Sequence, residues 1–326
     1  MNLLDAFEYG AVAGISGHPD KIVETVLSKL FFFGDRVFKV YKWRNGSIGD
    51  FTDSAFRKDF FRNDFRWNAS MSPETYRRLG SVKWDGYRYV EASELEAEDY
   101  FIEMNKIDED GVFFHLLQKG EILEEDLRVV VKTLFERLDS LTESVSEEFA
   151  DIFSIPLPDM HVTDMRSTRE WIHSHEDSPF KTEAGAIADS LLEFIPTHAP
   201  FRSFDTDRYL ASVDNHAGNI LLGNGRATFI DSMPPMRIWR ARSPLYILSR
   251  TATDVEVLAG KKFSDPMYEE YSRIRGELVD PVEKSYCQSV SALIMALYQY
   301  GLKEFEIAKR YLDFSREKML ELGDAV

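Results

Sequence analysis

The 326-residue sequence predicts an α+β protein in which a small β-rich part precedes a larger helical part. Three observations predict this class. Alternating apolar residues dominate the first hundred positions, helical periodicity dominates from about residue 120, and one short β segment interrupts the helices. With 44% hydrophobic and 13% aromatic residues, the chain can bury the core that such a protein needs.

The first pair of strands places a lysine among apolar residues. The stretch KLFFFGDRVFKVYKW (29–43) predicts two strands joined by a tight turn at Gly34-Asp35. In the second strand Val37, Lys39 and Tyr41 share one face, because successive side chains of a strand alternate. A charge at this mid-strand position needs a reason; the alternative is an edge-strand lysine that extends to solvent.

A helix and further strands follow this pair. Thr52-Asp53 can cap a helix, whose inward positions recur at helical spacing. Those positions are Phe56, Phe60, Asp64 and Trp67. SVKWDGYRYVEA (81–92) then predicts a hairpin around Asp85-Gly86, and YFIEMNKI (100–107) predicts a strand that runs into polar chain.

The remainder of the chain is mostly helical by its periodicity. Apolar residues alternate at spacings of three and four between positions 127 and 141, which is one stripe of an amphipathic helix. Residues 281–300 and 302–322 predict two more helices, parted near Gly301. The single β interruption is NILLGNGRATFID (219–231), with its turn at Gly223-Asn224-Gly225.

Composition excludes several classes of partner. The net charge of −17 argues against a nucleic-acid-binding surface, which needs clustered Lys and Arg, and against adsorption to anionic membranes. This acidity would suit a cationic substrate, although it also serves solubility alone. The one cysteine, Cys287, lies in an apolar helical run and is expected to be a buried, inert thiol. No signal peptide or membrane-spanning run is apparent, so we expect a soluble cytoplasmic protein.

The chemistry-bearing residues cluster around the β interruption. Asp214 and Asn219 are spaced D-x-x-x-x-N, and Asp231 ends the second strand of the following hairpin. Phosphoryl transfer from ATP needs such a set: one carboxylate to orient the attacking hydroxyl, and an amide oxygen and a second carboxylate to hold Mg²⁺. The β-rich part should then supply a cation for the phosphates and an acid to hold it. Lys39 and Asp64 fit these two roles.

At this point the chain resembles the aminoglycoside phosphotransferase-like branch of the protein-kinase-like fold. It is most similar to bacterial proteins of unknown substrate in which such a domain often precedes a P-loop kinase domain. Four stretches carry the resemblance: residues 18–42, 49–68, 100–122 and 212–231. They correspond to the N-terminal signature, its continuation, the connector between two lobes and the catalytic hairpin. No G-x-x-x-x-G-K-[ST] motif occurs in the chain, so no companion P-loop domain is expected.

The resemblance implies a role for each matching residue. Asp214 would be the catalytic base, and Asn219 and Asp231 would be ligands of Mg²⁺. Lys39 would contact the phosphates of ATP, with Asp64 as its partner acid.

The same resemblance implies how the nucleotide is held. Val37 would cover the adenine, and backbone groups of Glu103 and Met104 would bind its edge. Leu221 or Leu222 would lie beneath it. Gly34, at the tip of the first hairpin, would bring a backbone amide to a phosphate.

The sequence departs from the family at four places. Ser212-Val213 replaces the His-Gly that precedes the base, and His216 is expected to pack within the loop. Asp64 stands where the family has the longer Glu, which predicts a long or water-bridged ion pair with Lys39. SMPPMRIWRARSPLY (232–246) replaces an acidic motif, which indicates a changed substrate-facing edge. The fourth departure is the missing P-loop motif noted above.

Two further features have plain explanations. His173, His175 and Glu176 could bind a transition metal, but alternate residues share a face only on a strand, so a solvated polar loop is favoured. Trp239 could stack on a flat substrate, and ordinary packing is the favoured alternative.

The sequence therefore predicts a two-lobed kinase-like protein with a small antiparallel-sheet lobe at residues 1–103 and a helical lobe at residues 104–326. The predicted activity is ATP- and Mg²⁺-dependent transfer of phosphate to a hydroxyl of a small molecule, such as a sugar, aminoglycoside or nucleoside. Two alternatives stay open. One is a toxin-like kinase with a protein or RNA acceptor, and the other is a nucleotide-binding pseudokinase that acts as an interaction module.

Overall fold

The computed structural model describes residues 1–46, 48–174, 179–197 and 210–324. By its internal contacts the chain divides into an N-terminal and a C-terminal unit. The N-terminal unit comprises Met1–Asp110 and Phe229–Pro235, and the C-terminal unit comprises Gly111–Thr228 and Met236–Val326. A short segment from late in the sequence therefore folds with the N-terminal residues.

The N-terminal unit is built on an antiparallel sheet of six strands in the order β1-β2-β3-β8-β6-β7. The strands are β1 (Lys21–Glu24), β2 (Ser28–Phe33), β3 (Arg36–Tyr41), β6 (Tyr76–Trp84), β7 (Tyr89–Glu91) and β8 (Asp99–Asn105). Two short strands, β4 (Asn45–Gly46) and β5 (Gly49–Asp50), form a separate pair. The helices are α1 (Leu3–Glu8) and α2 (Ser54–Met71).

One face of this sheet packs against α1 through aromatic side chains. Phe7 of α1 stacks on Phe31 with ring centroids 5.1 Å apart and meets Phe38 and Phe101 at 5.3 and 5.6 Å. All four rings are fully or almost fully buried. Each large aromatic side chain removed from water contributes on the order of 2–3 kcal/mol, so this cluster is a main support of the sheet.

The opposite face packs against α2. Tyr41 of β3 contacts Phe60 and Phe61 of α2, with ring centroids 5.0 and 4.8 Å apart. The helix begins after Asp53, whose carboxylate accepts the Phe56 N–H at 2.8 Å, as the sequence predicted. Lys39 lies on this α2-facing side of β3, because it has the same strand parity as Tyr41.

The C-terminal unit is mostly helical. Its helices are α3 (Phe113–Lys119), α4 (Glu124–Val145), α5 (Ala150–Phe153), α6 (Leu157–Ser174), α7 (Lys181–Thr197), α8 (Pro244–Ala259), α9 (Lys261–Arg275), α10 (Pro281–Gly301) and α11 (Phe305–Asp324). The strands are β9 (Leu210–Ala211), β10 (Ile220–Gly223), β11 (Arg226–Phe229) and β12 (Ala241–Arg242), which pair as β10-β11 and β9-β12.

The helical periodicity and the β10-β11 hairpin are confirmed, whereas the second strand pair, β9-β12, was not predicted. The buried side of α4 is the stripe that the sequence predicted. The break between α10 and α11 follows Gly301, and the β10-β11 turn lies at Asn224-Gly225, where both residues have positive φ. Gly225 is suited to that conformation because it lacks a side chain. Cys287 is buried, also as expected. Within the ranges described, no helix combines the length and apolar character that a membrane span requires.

Candidate active site

Lys39 of β3 is the centre of a buried ion-pair cluster in the N-terminal unit. Its Nζ lies 2.6 Å from Oδ1 of Asp231 and 3.1 Å from Oδ2 of Asp64. The Lys39 side chain is 7% exposed and that of Asp64 2%, whereas that of Asp231 is 62% exposed. The lysine therefore joins an interior carboxylate of α2 to a carboxylate that reaches solvent. The structure brings these three predicted residues together.

The Lys39–Asp64 contact is direct, which corrects the expectation of a long or water-bridged pair. The shorter Asp side chain reaches the lysine because Asp64 lies on the buried side of α2, directly against β3. Asn68, one turn later, donates its Nδ2 to Oδ1 of Asp64 at 2.8 Å. That bond fixes the orientation of the carboxylate and leaves Oδ2 for the lysine.

Asp231 is held by three side chains that the sequence analysis did not identify. Its own N–H donates to Tyr76 Oη at 3.0 Å, the Ser232 N–H donates to Asn68 Oδ1 at 2.7 Å, and the Phe229 N–H donates to Ser72 Oγ at 2.9 Å. Asp231 also has a positive φ of 48°, which is uncommon for a residue with a side chain. Of these holding groups only Asn68 left a signal, because it follows Asp64 by four residues and so lies on the same helix face.

Electrostatics keep Lys39 charged. Burial alone would lower the pKa of this ammonium group, but the carboxylates of Asp231 and Asp64 outweigh burial and hold the pKa well above its ordinary value. Burial raises the pKa of the Asp64 carboxyl, against the lowering effect of Lys39. Burial likewise raises the pKa of the neighbouring phenols Tyr41 and Tyr76, so both stay protonated and can donate hydrogen bonds.

Of the predicted adenine contacts, Val37 has the expected placement within its strand. It shares the face of Lys39, two residues before it, and pairs with Phe32 on one side and Met104 on the other. Glu103 and Met104 lie in β8, which is an inner strand with β3 and β6 as neighbours. Their backbone groups therefore serve the sheet instead of standing open to a ligand.

The side chain of Glu103 also has a structural use. It is 4% exposed and receives hydrogen bonds from Arg36 at 2.9 Å and Arg78 at 2.7 Å. These two arginines hold the pKa of the carboxyl below its ordinary value, against the raising effect of burial. The sequence could not show this, because Arg78 comes from a strand 25 residues away.

Gly34 occupies the β2-β3 turn with a φ of 58°, which suits glycine. Its N–H, the group that was predicted to contact a phosphate, donates to Asp20 Oδ2 at 2.7 Å. A phosphate would have to displace that carboxylate, so the contact at Gly34 stays a prediction.

In the C-terminal unit, Asp214 and Asn219 lie in one short loop, residues 214–219, which we call the acidic loop. Asn219 donates its Nδ2 to the main-chain oxygen of Asp214 at 2.9 Å. The loop ends in a single 3₁₀ turn, Ala217–Asn219, which His216 caps by accepting the Gly218 N–H at 3.1 Å. His216 also lies 5.3 Å from the ring of Tyr298, in agreement with its expected packing role.

Helix α8 fixes the acidic loop through side chains that the sequence analysis missed. Asn215 donates its Nδ2 to Ile247 O at 2.9 Å and to Thr251 Oγ1 at 2.7 Å. The Ala217 N–H donates to Oδ2 of Asp254 at 2.6 Å. Residues 247, 251 and 254 lie on one face of α8, so a helix that is buried over most of its length holds the loop. The sequence signal for this role was the helical spacing of polar residues such as Thr251 and Asp254 in PLYILSRTATDVEVLA.

Asp214 has a cationic neighbour, Arg250, which lies in α8. Arg250 Nη2 lies 3.4 Å from Asp214 Oδ1, and the two side chains are 14% and 31% exposed. Ser212, two residues before Asp214, donates its N–H to Arg240 O at 2.8 Å.

Leu221 lies in β10, is buried, and forms an isolated bridge with Val112, which lies within the connector at residues 100–122. Leu222 lies close to the same segment, since a Cβ atom added at Gly111 would lie 2.2 Å from the carbonyl oxygen of Leu222. The leucine pair is thus next to the segment that links the two units in sequence.

The alternative metal site is only partly described. His173 lies near the end of α6, whereas His175 and Glu176 fall outside the described residues. Among the described residues, no group of three or more His, Cys, Asp and Glu side chains could hold a metal ion. Burial raises the pKa of the Asp164 carboxyl, and Arg242 and Trp239 oppose that rise, so the indole acts on an interior group, which favours the packing interpretation.

Solved structures of the protein-kinase-like fold are similar to this chain. A choline kinase from Cryptosporidium parvum matches with a TM-score of 0.57 at 14% identity, over 97% of this chain and 94% of that one. The GDP and kanamycin complex of APH(2")-IIia matches with a TM-score of 0.53 at 12% identity, over 98% of both chains. A thermostable mutant of the aminoglycoside phosphotransferase APH(4)-Ia, with AMP-PNP and hygromycin B, matches at 0.52 and 14% identity, over 93% and 94%.

At these identities the likeness shows the fold alone, and it confirms the α+β, protein-kinase-like fold that the sequence predicted. No family model matches the sequence, and no curated protein matches it either.

Proposed function

We propose that the protein is an ATP- and Mg²⁺-dependent phosphotransferase that moves the γ-phosphate to a hydroxyl of a small molecule. The observation that carries the proposal is the buried lysine between two carboxylates. Taking Lys39 and Asp64 out of water costs free energy, and a hydrophobic pair would fill the same space without that cost. Perturbed, buried ionisable groups of this kind concentrate at functional sites.

On the nucleotide side, Lys39 supplies a fixed positive charge for the phosphates of ATP, and Asp64 with Asn68 holds that charge in position. Val37 and Leu221 stay predicted contacts of the adenine. Because Glu103 and Met104 serve the sheet, we move the predicted contact with the adenine edge to the backbone that follows β8. There Lys106 N–H is already bonded to Asp35 O, so Ile107 is the first candidate.

The proposed Mg²⁺ ligands fit that ion by their chemistry. Asp231 offers a carboxylate on a side chain that reaches solvent, and its backbone is constrained by three hydrogen bonds around it. In Asn219 the Nδ2 donates to Asp214 O, so the oxygen of the amide is the atom that a hard cation would take. Two protein ligands suffice, since phosphates and water usually complete the coordination of Mg²⁺. When bound, the ion would neutralise charge on the phosphates.

Asp214 is the proposed base. The acceptor oxygen attacks the γ-phosphorus, the bond from that phosphorus to the bridging oxygen breaks, and ADP leaves with the electron pair. The hydroxyl proton passes to the Asp214 carboxylate. Because the transition state is loose, Asp214 mainly orients the hydroxyl and takes its proton late. The hydrogen bonds from α8 keep the acidic loop rigid enough for that task.

The structural neighbours support the class of reaction and leave the donor and acceptor open. The choline kinase and the aminoglycoside phosphotransferases are named for small-molecule substrates, and the complexes contain AMP-PNP or GDP. We propose ATP as the donor and test GTP beside it. The bacterial group with an appended P-loop domain stays our proposal for the nearest sequence relatives. The cytoplasm, where ATP is abundant, is the proposed location.

The binding half of the proposal is tested by thermal unfolding with ATP, GTP, Mg²⁺ and EDTA. Saturation at about 100 times Kd should stabilise the protein by about 2.7 kcal/mol. Asp231→Ala should remove the Mg²⁺-dependent part of that shift. Asp59→Ala, which removes an exposed acid from the outer face of α2, is the matched control and should not. A nucleotide shift that is the same in Asp231→Ala as in the wild type contradicts the metal assignment.

The catalytic half is tested with Asp214→Asn. This variant should keep nucleotide binding but lose about 10²- to 10⁴-fold in phosphotransfer or slow ATP hydrolysis, because the amide cannot accept the hydroxyl proton. Unchanged turnover would rule out Asp214 as the base. If radiolabel from ATP reaches only added protein or RNA and no small molecule, the small-molecule acceptor is wrong.

A further inference from the structure

Arg237 and Arg242 follow Asp231 closely in the sequence, and Arg250 lies in α8. Within the C-terminal unit, Arg237 forms a two-bonded pair with Asp151 at 2.7 and 2.8 Å. Arg242 is buried and pairs with Asp164, also buried. These two arginines are thus neutralised by carboxylates of α5 and α6, which leaves them little capacity for a ligand.

Arg250 is different because its contacts are weak. Within the described residues its hydrogen bonds are those to Asp214 at 3.4 Å and to Ser291 O at 3.5 Å, both at the long end of the accepted range. A guanidinium group has five N–H donors, and one that is mostly buried loses much of its hydration. Since its side chain is still 14% exposed, a ligand can reach it.

The position of Arg250 constrains the acceptor. A hydroxyl that gives its proton to Asp214 must lie about 3 Å from that carboxylate. The guanidinium lies 3.4 Å from the same carboxylate, so the atoms next to the reacting hydroxyl come within a few ångström of a positive charge. Arg250 reaches Asp214 from α8 and also contacts α10, which places it on the helical side of the acidic loop.

Among the described residues, two carboxylates act on the Arg250 guanidinium, those of Asp214 and Asp254. Asp254 accepts the Ala217 N–H at 2.6 Å and the Tyr311 hydroxyl at 2.8 Å. An ammonium group on the acceptor would therefore meet a cation here and would find Asp254 occupied. The net charge of −17 does not reverse this, because exposed charges are screened beyond about 8 Å at physiological ionic strength.

We propose that the acceptor is an anionic hydroxyl compound whose carboxylate or phosphate binds the guanidinium of Arg250. The inference rests on the phosphotransferase function proposed above and adds the charge class of the acceptor. A planar guanidinium binds either anion through two parallel N–H bonds. Arg250 takes no part in bond making; it holds the acceptor so that the hydroxyl faces Asp214.

The test uses four probes on one scaffold: gluconate, glucose 6-phosphate, glucose and glucosamine. Their Kd values are measured by calorimetry on the full chain with AMP-PNP and Mg²⁺ present, so that the nucleotide phosphates fill their own site. In the wild type we expect at least one anionic probe to bind more tightly than glucose, and glucosamine to bind most weakly. Gluconate alone would identify a carboxylate acceptor, and glucose 6-phosphate alone a phosphate.

Arg250→Gln should weaken binding of the anionic probe roughly 10- to 100-fold and leave glucose unchanged, because a charge-assisted hydrogen bond is lost. Arg250→Lys keeps the positive charge, so the four probes should keep their order of affinity while the affinity for the anionic probe falls. This variant also keeps the proposal testable if Arg250→Gln does not fold. Arg237→Gln, which changes an exposed arginine of the C-terminal unit, is the matched control and should bind like the wild type.

Two failures are distinguishable. If AMP-PNP does not bind, the proposed function itself is wrong. If AMP-PNP binds but each probe has the same Kd in the wild type and in Arg250→Gln, only the proposal of an anionic acceptor is wrong. The same conclusion follows if no probe binds to either protein. Tightest binding of glucosamine would also overturn it.

Discussion

Replacement of Lys39 by methionine should destabilise the fold far more than replacement of an ordinary lysine. Methionine keeps most of the side-chain length but removes the charge that faces Asp64, whose carboxylate is 2% exposed. The Asp231 carboxylate is 62% exposed and can regain water, so the loss comes mainly from Asp64. Leaving one member of a buried ion pair without its partner costs about 3–5 kcal/mol. Lys42→Met is the matched control, since that lysine pairs with Glu24 at the surface, and its effect should be small.

The pH dependence of the same variant has a definite sign. Burial raises the pKa of Asp64, and Lys39 opposes that rise, so removing the lysine raises the pKa further. A carboxyl whose pKa is higher in the folded state favours folding below its unfolded pKa, and this contribution is lost as the pH rises through the folded pKa. The deficit of Lys39→Met relative to the wild type should therefore shrink as the pH falls from 7 to 5.

Urea unfolding of four proteins measures these effects: the wild type, Lys39→Met, Asp64→Asn and the double variant. Asp64→Asn in the Lys39→Met background should recover part of the lost stability, because the unpaired charge is gone. The reasoning is refuted if Lys39→Met costs no more than Lys42→Met. It is also refuted if the two substitutions simply add.

Two further predictions concern other buried positions. Burial, aided by Arg242, lowers the pKa of His161 from 6.5 to about 3, so between these pH values the unfolded chain binds a proton that the folded protein does not. The free energy of unfolding should thus fall by about 2 kcal/mol between pH 6.5 and 5. His161→Gln should remove that loss, whereas replacement of the exposed His115 by Gln should keep it. Equal pH profiles of the two variants would contradict this. An alanine Cβ at Gly80 would lie 2.2 Å from the buried ring of Phe101, so Gly80→Ala should cost about 1–3 kcal/mol by denaturant unfolding. Gly185→Ala in α7 has open space around it and should instead gain up to about 1 kcal/mol; a neutral Gly80→Ala would show that the ring can move aside.

The elements that the sequence predicted are those fixed by local periodicity. The alternation around Lys39, the cap at Asp53, the stripe of α4 and the turn at Asn224-Gly225 each depend on residues a few positions apart. Such patterns state which face of an element is buried before any partner is known. The fold class followed from their order along the chain.

The parts that the sequence could not supply depend on distant residues. Ser72 and Tyr76 hold the Asp231 segment across more than 150 positions, and nothing local marks them for that role. The placement of β8 between β3 and β6, which engages the backbone of Glu103 and Met104, is a property of strand order. The bond from Gly34 to Asp20 arose from a loop conformation that no pattern described.

The return of residues 229–235 to the N-terminal unit limits how this protein can be divided or recombined. A fragment ending at Asp110 would keep Lys39 and Asp64 but lose the peptide that occupies Asn68, Ser72 and Tyr76. Exchange of residues 1–110 between relatives would likewise pair one set of anchoring side chains with a foreign peptide. We therefore expect functional chimeras only when residues 1–110 and residues 229–235 are exchanged together.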